Sequence, residues 1–226
     1  MEIIARIHTE FPTKFGIPRQ SGLVDGLKAM IVFEPKYRNP DALRGIEGFS
    51  HVWLLWEFDR AVRDGWSATV LPPKLGGKTR VGVFATRSPC RPNPIGLSSV
   101  RLLEVREDRK LGTVLIVSGA DLADNTPIYD IKPYLPYADS HPEATAGFTE
   151  SVDTTPLSVD FPPELLSEIP EEKRDALIRV LSLDPRPGYQ NDPTRRYGFG
   201  YCGKDVRFTV ENGVLHVVEI AEPADQ

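Results

Sequence analysis

The segment between Val83 and Gly96 carries residue types that suit ligand binding. It reads VFATRSPCRPNPIG, and its three prolines restrict the backbone around Arg87, Arg91 and Asn93. A stiff loop loses less conformational entropy when a ligand arrives, so this pattern favours a binding loop. A rigid structural crossover, in which the arginines bond nearby carbonyls, is supported equally well by the same residues.

A second segment, from residue 121 to residue 137, interleaves carboxylates with aromatic side chains. Asp121 and Asp124 are candidates to accept hydrogen bonds from ribose hydroxyls, and the tyrosines offer stacking faces to a base. For any single residue the alternative is favoured, in which the aspartates cap turns and the tyrosines fill the core.

The C-terminal part of the chain combines basic and aromatic residues in a pattern that suits RNA. A solvated surface explains the same pattern as well. The basic residues concerned are Arg186, Arg195, Arg196, Lys204 and Arg207, and Tyr189, Tyr197 and Tyr201 lie between them.

Other chemistry-bearing motifs are absent or lack context. Gly198–Gly203 matches G-x-G-x-x-G, but a strand pattern follows where a helix is required, so a plain glycine-rich loop is predicted. The four histidines are too dispersed for a local metal motif, and no metal is expected. No phosphate-binding P-loop and no G-x-S-x-G elbow occurs, which leaves the common hydrolase and nucleotidase functions unsupported.

The composition is that of a soluble globular protein. The chain has 226 residues, 40% of them hydrophobic, and a formal charge of -5 that is unevenly distributed. Residues 74–110 hold nine Lys or Arg against three Asp or Glu, whereas residues 121–175 hold three against thirteen, so an anionic ligand is compatible with the acidic total. The two separated cysteines favour a reducing cytoplasm, and neither an export signal nor a membrane segment is indicated.

The elements that must position these residues are mostly strands. The 21 prolines and 18 glycines imply frequent turns and disfavour a helical bundle. No long amphipathic helix interrupts the first half, which argues against a doubly wound parallel sheet and for a barrel or sandwich. The strand candidates are the alternating segment Ile3–Ile7, Ala29–Phe33, His51–Phe58, Val81–Phe84, Ser98–Val105 and Thr113–Val117.

The pattern of residue types changes near residue 150, and a small α+β domain is predicted from there onward. Glu171–Leu183 is the best helix in the chain, with Ala176, Leu177, Val180 and Leu181 on one face. Val206–Val210 and Val214–Ile220 flank Asn212-Gly213, which is a strong hairpin signal. The expected organisation is therefore a domain over residues 1–150 and a second domain over residues 151–226.

Long motifs in the chain resemble the TsaA-like family, also called the TrmO family. They are Thr86-Arg87-Ser88 with Arg91–Gly96, Asp130–Pro136, Pro18-Arg19-Gln20, Arg44–His51 and Asp184-Pro185-Arg186-Pro187, which together span nearly the whole chain. The resemblance implies a small, non-Rossmann β-barrel that binds S-adenosylmethionine, a homodimer, and a C-terminal domain that engages tRNA. The implied reaction is N6-methylation of threonylcarbamoyladenosine next to the anticodon.

The resemblance also implies where the cofactor binds. Contact is expected at Pro18, Arg19, Gln20, Arg87, Leu97, Asp121, Leu122, Ala123 and Asp124, and additionally at Asp59 and Arg60. Asp59-Arg60 stands where relatives carry His-Gln, so contact there is expected to involve the backbone or to differ.

Methyl transfer requires the amine lone pair to point at the sulfonium methyl, so positioning supplies much of the catalysis. The amine becomes acidic as it is methylated, and a nearby acceptor can orient it and help to remove the proton. From residue type and placement, Asn93 and Asp130 are hypothesised as catalytic residues. Two alternatives to this enzyme remain: a catalytically silent RNA-binding β-barrel and a small-molecule enzyme that uses an aspartate as acid or base.

Overall fold

The computed structural model describes residues 1–60, 65–186 and 192–223, apart from the side chain of Lys74. This part of the chain is mainly β, as predicted, with short helices between the strands. The strands are β1 (Ala5–His8), β2 (Lys28–Phe33), β3 (His51–Glu57), β4 (Thr69–Val70), β5 (Val81–Gly82), β6 (Ile95–Asp108), β7 (Gly112–Ser118), β8 (Thr126–Pro133), β9 (Ser158–Asp160), β10 (Tyr197–Tyr201), β11 (Lys204–Glu211) and β12 (Val214–Ala221). The α-helices are α1 (Pro136–Asp139), α2 (Pro163–Leu166) and α3 (Glu171–Ser182), and 3-10 turns cover Pro35–Tyr37, Pro40–Leu43, Ile46–Gly48, Pro73–Leu75, Val83–Ala85 and Gly147–Ser151.

Six antiparallel strands form a closed sheet in the order β1-β2-β7-β6-β3-β8. Each strand pairs with two neighbours, which leaves no free edge in this sheet. Side chains alternate between the interior and the surface, because successive residues of a strand point to opposite faces. On β3, Val52, Leu54 and Trp56 are buried while the residues between them are partly exposed.

A bulge interrupts the pairing of β3 with β8 near the C-terminal end of β3. Leu55 pairs with Asp130, but Trp56 pairs with Ile128, so Tyr129 is the extra residue. A bulge bends a strand and redirects its side chains. Here Trp56 remains directed into the core, where it is 7% exposed, while the hydroxyl of Tyr129 donates a hydrogen bond to Glu57.

The C-terminal strands form a separate sheet in the order β10-β11-β12-β9. Strands β11 and β12 form the predicted hairpin, and both turn residues have the positive φ that a two-residue turn of this kind requires: 50° at Asn212 and 78° at Gly213. Helix α3 buries the four predicted residues of its apolar face. The predicted hairpin and helix are thus confirmed, while strand β9 was not predicted.

Residues from both ends of the chain share the core of the C-terminal sheet. Phe11, Val24 and Leu27, which precede β2, belong to the same buried cluster as Leu177 and Phe208. The segment before β2 therefore packs against the C-terminal sheet as well as leading into the closed one. The division into domains at residue 150 stays a prediction, since this core includes residues from both sides of it.

Two sequence-based assignments of local structure were wrong. The predicted strand Val81–Phe84 ends at Gly82 and continues as a 3-10 turn. Gly198–Gly203 was predicted as a loop, but most of it is strand β10. The glycines there allow a close approach, because a Cβ at Gly200 would lie 2.6 Å from Cγ of Pro12.

Candidate functional site

A cavity of about 460 Å³ lies where the closed sheet meets the segment that precedes β2. Its lining residues come from four parts of the chain, within residues 14–20, 56–60, 86–97 and 121–126. The volume is within the range of about 300–1,000 Å³ that is typical of pockets for small molecules and cofactors. The polar part of the lining includes both guanidinium and carboxylate groups.

The cavity brings together ten of the eleven residues that the family resemblance assigned to cofactor contact. These ten are Pro18, Arg19, Gln20, Asp59, Arg60, Arg87, Leu97, Asp121, Leu122 and Ala123. Four widely separated motifs therefore share one lining. The sequence analysis missed Trp56 and Phe58, which also line the cavity. The nearly continuous apolar run His51–Phe58 carries no local signal that would have identified them.

Asp124 is the exception, since it is absent from the cavity lining. Its Oδ1 accepts a hydrogen bond from the backbone N–H of Thr9 at 3.1 Å and lies 3.2 Å from Nδ1 of His8. Its backbone carbonyl accepts a hydrogen bond from Arg60. In this structure Asp124 thus joins β1 to the loop before β8. Its contact with the cofactor stays a prediction.

A buried chain of hydrogen bonds fixes one wall of the cavity. Trp56 Nε1 donates to Ser98 Oγ at 2.9 Å, and Ser98 Oγ donates to Asp121 Oδ1 at 2.5 Å. Burial raises the pKa of Asp121 above its ordinary value, although the hydrogen bond from Ser98 and the charge of Arg87 act in the opposite direction. These two hydrogen bonds orient the carboxylate of Asp121. Because this carboxylate is partly removed from water, its interaction with a cationic or hydroxyl-bearing ligand is stronger.

Three arginines of the lining connect the walls to each other and to the C-terminal region. Arg87 donates to the side-chain carbonyl of Gln20, and Arg60 donates to the backbone carbonyl of Pro12. Arg19 Nη2 donates to the carbonyl of Arg186 at 3.0 Å and also lies 3.5 Å from that of Asp184. The position of the C-terminal segment is therefore linked to the cavity wall.

Arg91 fits the structural alternative that the sequence analysis left open. Its Nη1 donates to the backbone carbonyl of Thr86 at 2.7 Å and lies 3.4 Å from those of Val83 and Ser88. The guanidinium holds the proline-rich loop in shape, and the residue also lines the cavity. The structural interpretation thus holds for Arg91, and the binding of a ligand by this loop stays a prediction.

The two hypothesised catalytic residues lie outside the cavity lining. Asn93 is exposed, and its backbone carbonyl accepts a hydrogen bond from Ile95 at 2.8 Å. The carboxylate of Asp130 accepts from the backbone N–H of Ile131 at 2.9 Å and pairs with Lys132 at 2.9 Å. Their catalytic role stays a prediction.

The four residues assigned to RNA binding differ in whether their positive charge is paired with a carboxylate. Arg186 forms a bidentate pair with Asp184, at 2.8 Å for each bond, and this pair raises the pKa of Arg186. Lys204 pairs with Glu222. Arg195 lies over the ring of Tyr197, 5.5 Å from its centroid, and Arg196 is exposed. The predicted Tyr189 lies outside the described residues.

Neither a metal cluster nor a membrane helix is found in the part of the chain that the structure describes. Over residues 1–60, 65–186 and 192–223, no three His, Cys, Asp or Glu side chains are grouped so that they could hold a metal ion. Within the same ranges, no helix is both long and apolar enough to span a membrane.

The cavity lining fits S-adenosylmethionine in its chemistry. Guanidinium groups suit the carboxylate of the amino acid part, and Asp59 and Asp121 suit its ammonium group or the ribose hydroxyls. Trp56, Phe58 and Leu97 supply apolar surface for an adenine ring. Over the described residues, the fold and site therefore define a mainly β protein with a pocket of a size that suits a cofactor.

Comparison with known proteins agrees with this class. The curated tRNA (adenine(37)-N6)-methyltransferase of Escherichia coli K12 is 44% identical over 195 residues, which cover 84% of this chain and 83% of that protein. The putative S-adenosylmethionine-dependent methyltransferase RcsF of Pseudomonas aeruginosa is 38% identical and covers 96% of both chains. A crystal structure of TrmO from Pseudomonas aeruginosa superposes with a TM-score of 0.75, at 33% identity and 97% coverage of both chains.

Two family models match consecutive parts of the sequence. The tRNA-methyltransferase O N-terminal domain matches residues 6–140, and the TrmO C-terminal domain matches residues 154–223. The chain belongs to the tRNA-methyltransferase O family. The predicted family is thereby confirmed, and with it the class of enzyme, an S-adenosylmethionine-dependent tRNA methyltransferase.

Proposed function

We propose that this protein transfers a methyl group from S-adenosylmethionine to N6 of threonylcarbamoyladenosine at the position next to the anticodon of tRNA. The observation that carries the proposal is the single cavity lining shared by ten residues from four separated motifs. Relatives named tRNA (adenine(37)-N6)-methyltransferases support the adenine N6 as the acceptor. That the acceptor adenosine carries a threonylcarbamoyl group is proposed from the family resemblance.

Bound in the cavity, S-adenosylmethionine would supply an electrophilic methyl group. The role of this chain is to position it and the acceptor amine, since correct alignment alone can lower the barrier substantially. The bonds from Arg87 to Gln20 and from Ser98 to Asp121 preorganise the two walls. Preorganised walls need little rearrangement on binding, which conserves binding energy for alignment.

Asn93 and Asp130 are proposed to act on the substrate from outside the pocket. Ile95, two residues after Asn93, lines the cavity, and Asp130 lies beside the bulge that redirects β8. The amide oxygen of Asn93 can accept a hydrogen bond that orients the amine, and the carboxylate of Asp130 can accept the proton that the amine loses as it is methylated. Alanine variants at both positions test this role, and a variant with unchanged turnover removes its residue from the mechanism.

We further propose that residues 151–226 form a domain that engages tRNA, that the enzyme is a homodimer and that it acts in the cytoplasm. Phosphate contact is assigned to Arg186, Arg195, Arg196 and Lys204. Of these, Arg195 and Arg196 are exposed, and Arg186 and Lys204 would have to exchange a carboxylate partner for phosphate. Sedimentation analysis tests the dimer.

The decisive experiment incubates the protein and S-adenosylmethionine with tRNA that carries threonylcarbamoyladenosine, and in parallel with tRNA that lacks it. The nucleosides are then digested and weighed by mass spectrometry. A gain of one methyl group on the modified nucleoside alone supports the full proposal, and a gain on both tRNAs removes the requirement for the threonylcarbamoyl group. No gain, together with no calorimetric binding of S-adenosylmethionine, refutes the enzyme and favours an RNA-binding barrel.

A matched pair of variants connects activity to the cavity. Arg87→Met removes a guanidinium that lines the cavity, whereas Arg106→Met removes an exposed one on β6 that is absent from the lining. We expect the first to weaken S-adenosylmethionine binding about tenfold or more, because a charged hydrogen-bonding group is lost. The second is expected to bind like the unmodified protein.

A further inference from the structure

An exposed pair of aromatic side chains, Trp66 and Phe84, lies beside the cavity and has no role in the proposed reaction. Trp66 and Phe84 stack with ring centroids 6.3 Å apart and an interplanar angle of 22°. The two side chains nevertheless remain 53% and 71% exposed. A contiguous exposed apolar patch is a feature that often marks an interaction site.

The pair is held in place by the surrounding backbone. The N–H of Ser67 donates to the carbonyl of Cys90 at 3.2 Å, and that of Val83 donates to the carbonyl of Ala68 at 3.0 Å. The side chain of Val83 is buried below the surface. The two rings are therefore fixed to a scaffold, which lowers the entropy lost when a partner stacks on them.

Arg91 connects this pair to the cavity. Its guanidinium carbon lies 5.8 Å from the ring centroid of Phe84, and the same residue lines the cavity with Thr86 and Arg87. The aromatic pair thus stands at the cavity and does not lie on a remote face. A group bound on it would be close to the ligand in the cavity.

The chain around the pair carries positive charge only. From Gly65 to Leu103 the sequence has no Asp or Glu. Lys78 and Arg80 are exposed there. The basic residues of this stretch are Lys74, Lys78, Arg80, Arg87, Arg91 and Arg101. By contrast, Arg186 and Lys204 in the C-terminal region are paired with carboxylates, whereas this segment supplies no acidic partner of its own.

We propose that Trp66, Phe84 and Arg91, with Lys78 and Arg80, form an RNA-binding surface on which a nucleotide of the anticodon loop stacks while the target adenosine is presented at the mouth of the cavity. We call these five residues the aromatic–arginine surface. The proposal rests on the proposed function for the identity of the RNA. Aromatic faces surrounded by basic side chains are how proteins bind single-stranded nucleic acid, because every base has a face to stack and every nucleotide a phosphate.

A second copy of this chain is the competing occupant, and the charge argues against it. A two-fold contact through this surface would bring two positively charged segments together without acidic side chains from the same segment. A polyanion removes that repulsion and releases counterions when it binds.

The test measures the affinity of the full-length protein for tRNA, together with its affinity for S-adenosylmethionine and its oligomeric state. Trp66→Ala and Phe84→Ala are each expected to weaken tRNA binding by about fivefold to 100-fold, the usual effect of losing one stacked base. Lys78→Ala is expected to reduce the slope of log affinity against log salt by about 1. Phe49→Ala, which removes a 36% exposed phenylalanine outside this segment, is the matched control and is expected to bind tRNA normally.

The outcomes separate this proposal from the proposed function. Weaker tRNA binding with unchanged S-adenosylmethionine affinity and unchanged oligomeric state supports the surface. Normal tRNA binding by both aromatic variants overturns it even if methyl transfer is observed. A change of oligomeric state in the same variants also overturns it and assigns the surface to contact between copies. If the unmodified protein binds tRNA through this surface yet transfers no methyl group, only the proposed reaction fails.

Discussion

Adding one methyl group at Gly96 tests how the cavity wall is built. Gly96 on β6 pairs with Trp56 on β3. A Cβ at this position would lie 2.1 Å from Cε2 and 2.4 Å from Cζ2 of the indole ring. Contacts below 3.0 Å are essentially never seen for real Cβ atoms, so Gly96→Ala must displace the ring.

The magnitude follows from what the indole ring holds. Trp56 is 7% exposed, and forcing extra volume into a packed core costs about 1–3 kcal/mol. Displacement also breaks the 2.9 Å bond from Trp56 Nε1 to Ser98 Oγ, which adds about 0.5–1.5 kcal/mol. The free energy of unfolding is therefore expected to fall by about 1.5–4.5 kcal/mol. Because Ser98 orients Asp121, S-adenosylmethionine binding is expected to weaken as well.

Urea unfolding and calorimetric titration with S-adenosylmethionine measure the two effects. Gly82→Ala is the matched control, since a Cβ there would meet no atom within 4 Å. It is expected to change the free energy of unfolding by less than about 0.5 kcal/mol. If Gly96→Ala unfolds and binds like the unmodified protein, the hydrogen-bonded chain does not position the wall and the reasoning is refuted.

Three further perturbations test other parts of the structure. Burial raises the pKa of Asp121 above its ordinary value of 3.8. At a pH between the ordinary and the raised pKa, the folded state therefore binds more protons than the unfolded state, and the free energy of unfolding falls as the pH rises. Asp121→Asn should flatten this pH profile of urea unfolding, raise stability at neutral pH and weaken S-adenosylmethionine binding; an unchanged profile contradicts the assignment. Arg19→Met should weaken the same binding severalfold in calorimetry, because it frees the cavity wall from the carbonyl of Arg186, and normal affinity would disprove that link. Leu177→Ala should lower the free energy of unfolding by about 2–5 kcal/mol in urea, since the side chain is fully buried, and a negligible change would contradict the packing of α3.

Local features of the fold were readable from the sequence because they depend on neighbouring residues. Asn212-Gly213 predicts a tight hairpin, since both residues tolerate positive φ, and the structure has that turn. The apolar spacing in Glu171–Leu183 predicts one buried helix face, and α3 buries it. The long motifs also identified the family, and with it ten residues of the cavity lining.

Some strands were missed because packing outweighed the local signals. Strand β10 contains two glycines and resembles a loop, yet Gly200 is required by the close approach of Pro12, which lies far away in the sequence. Strand β8 was not predicted, because its first residues read as a turn and Pro127 disfavours a central strand. It is stabilised by pairing with β1 and β3 on either side.

The sequence by itself determined the family, the mainly β class and the residue types available for a cofactor. Only the tertiary structure decided which of these residues share the cavity. Asp121 and Asp124 are three residues apart, but one meets Ser98 at the cavity and the other meets Thr9 and His8 outside its lining. The physical reason is that strand register places residues distant in sequence opposite one another, and no local pattern encodes that pairing.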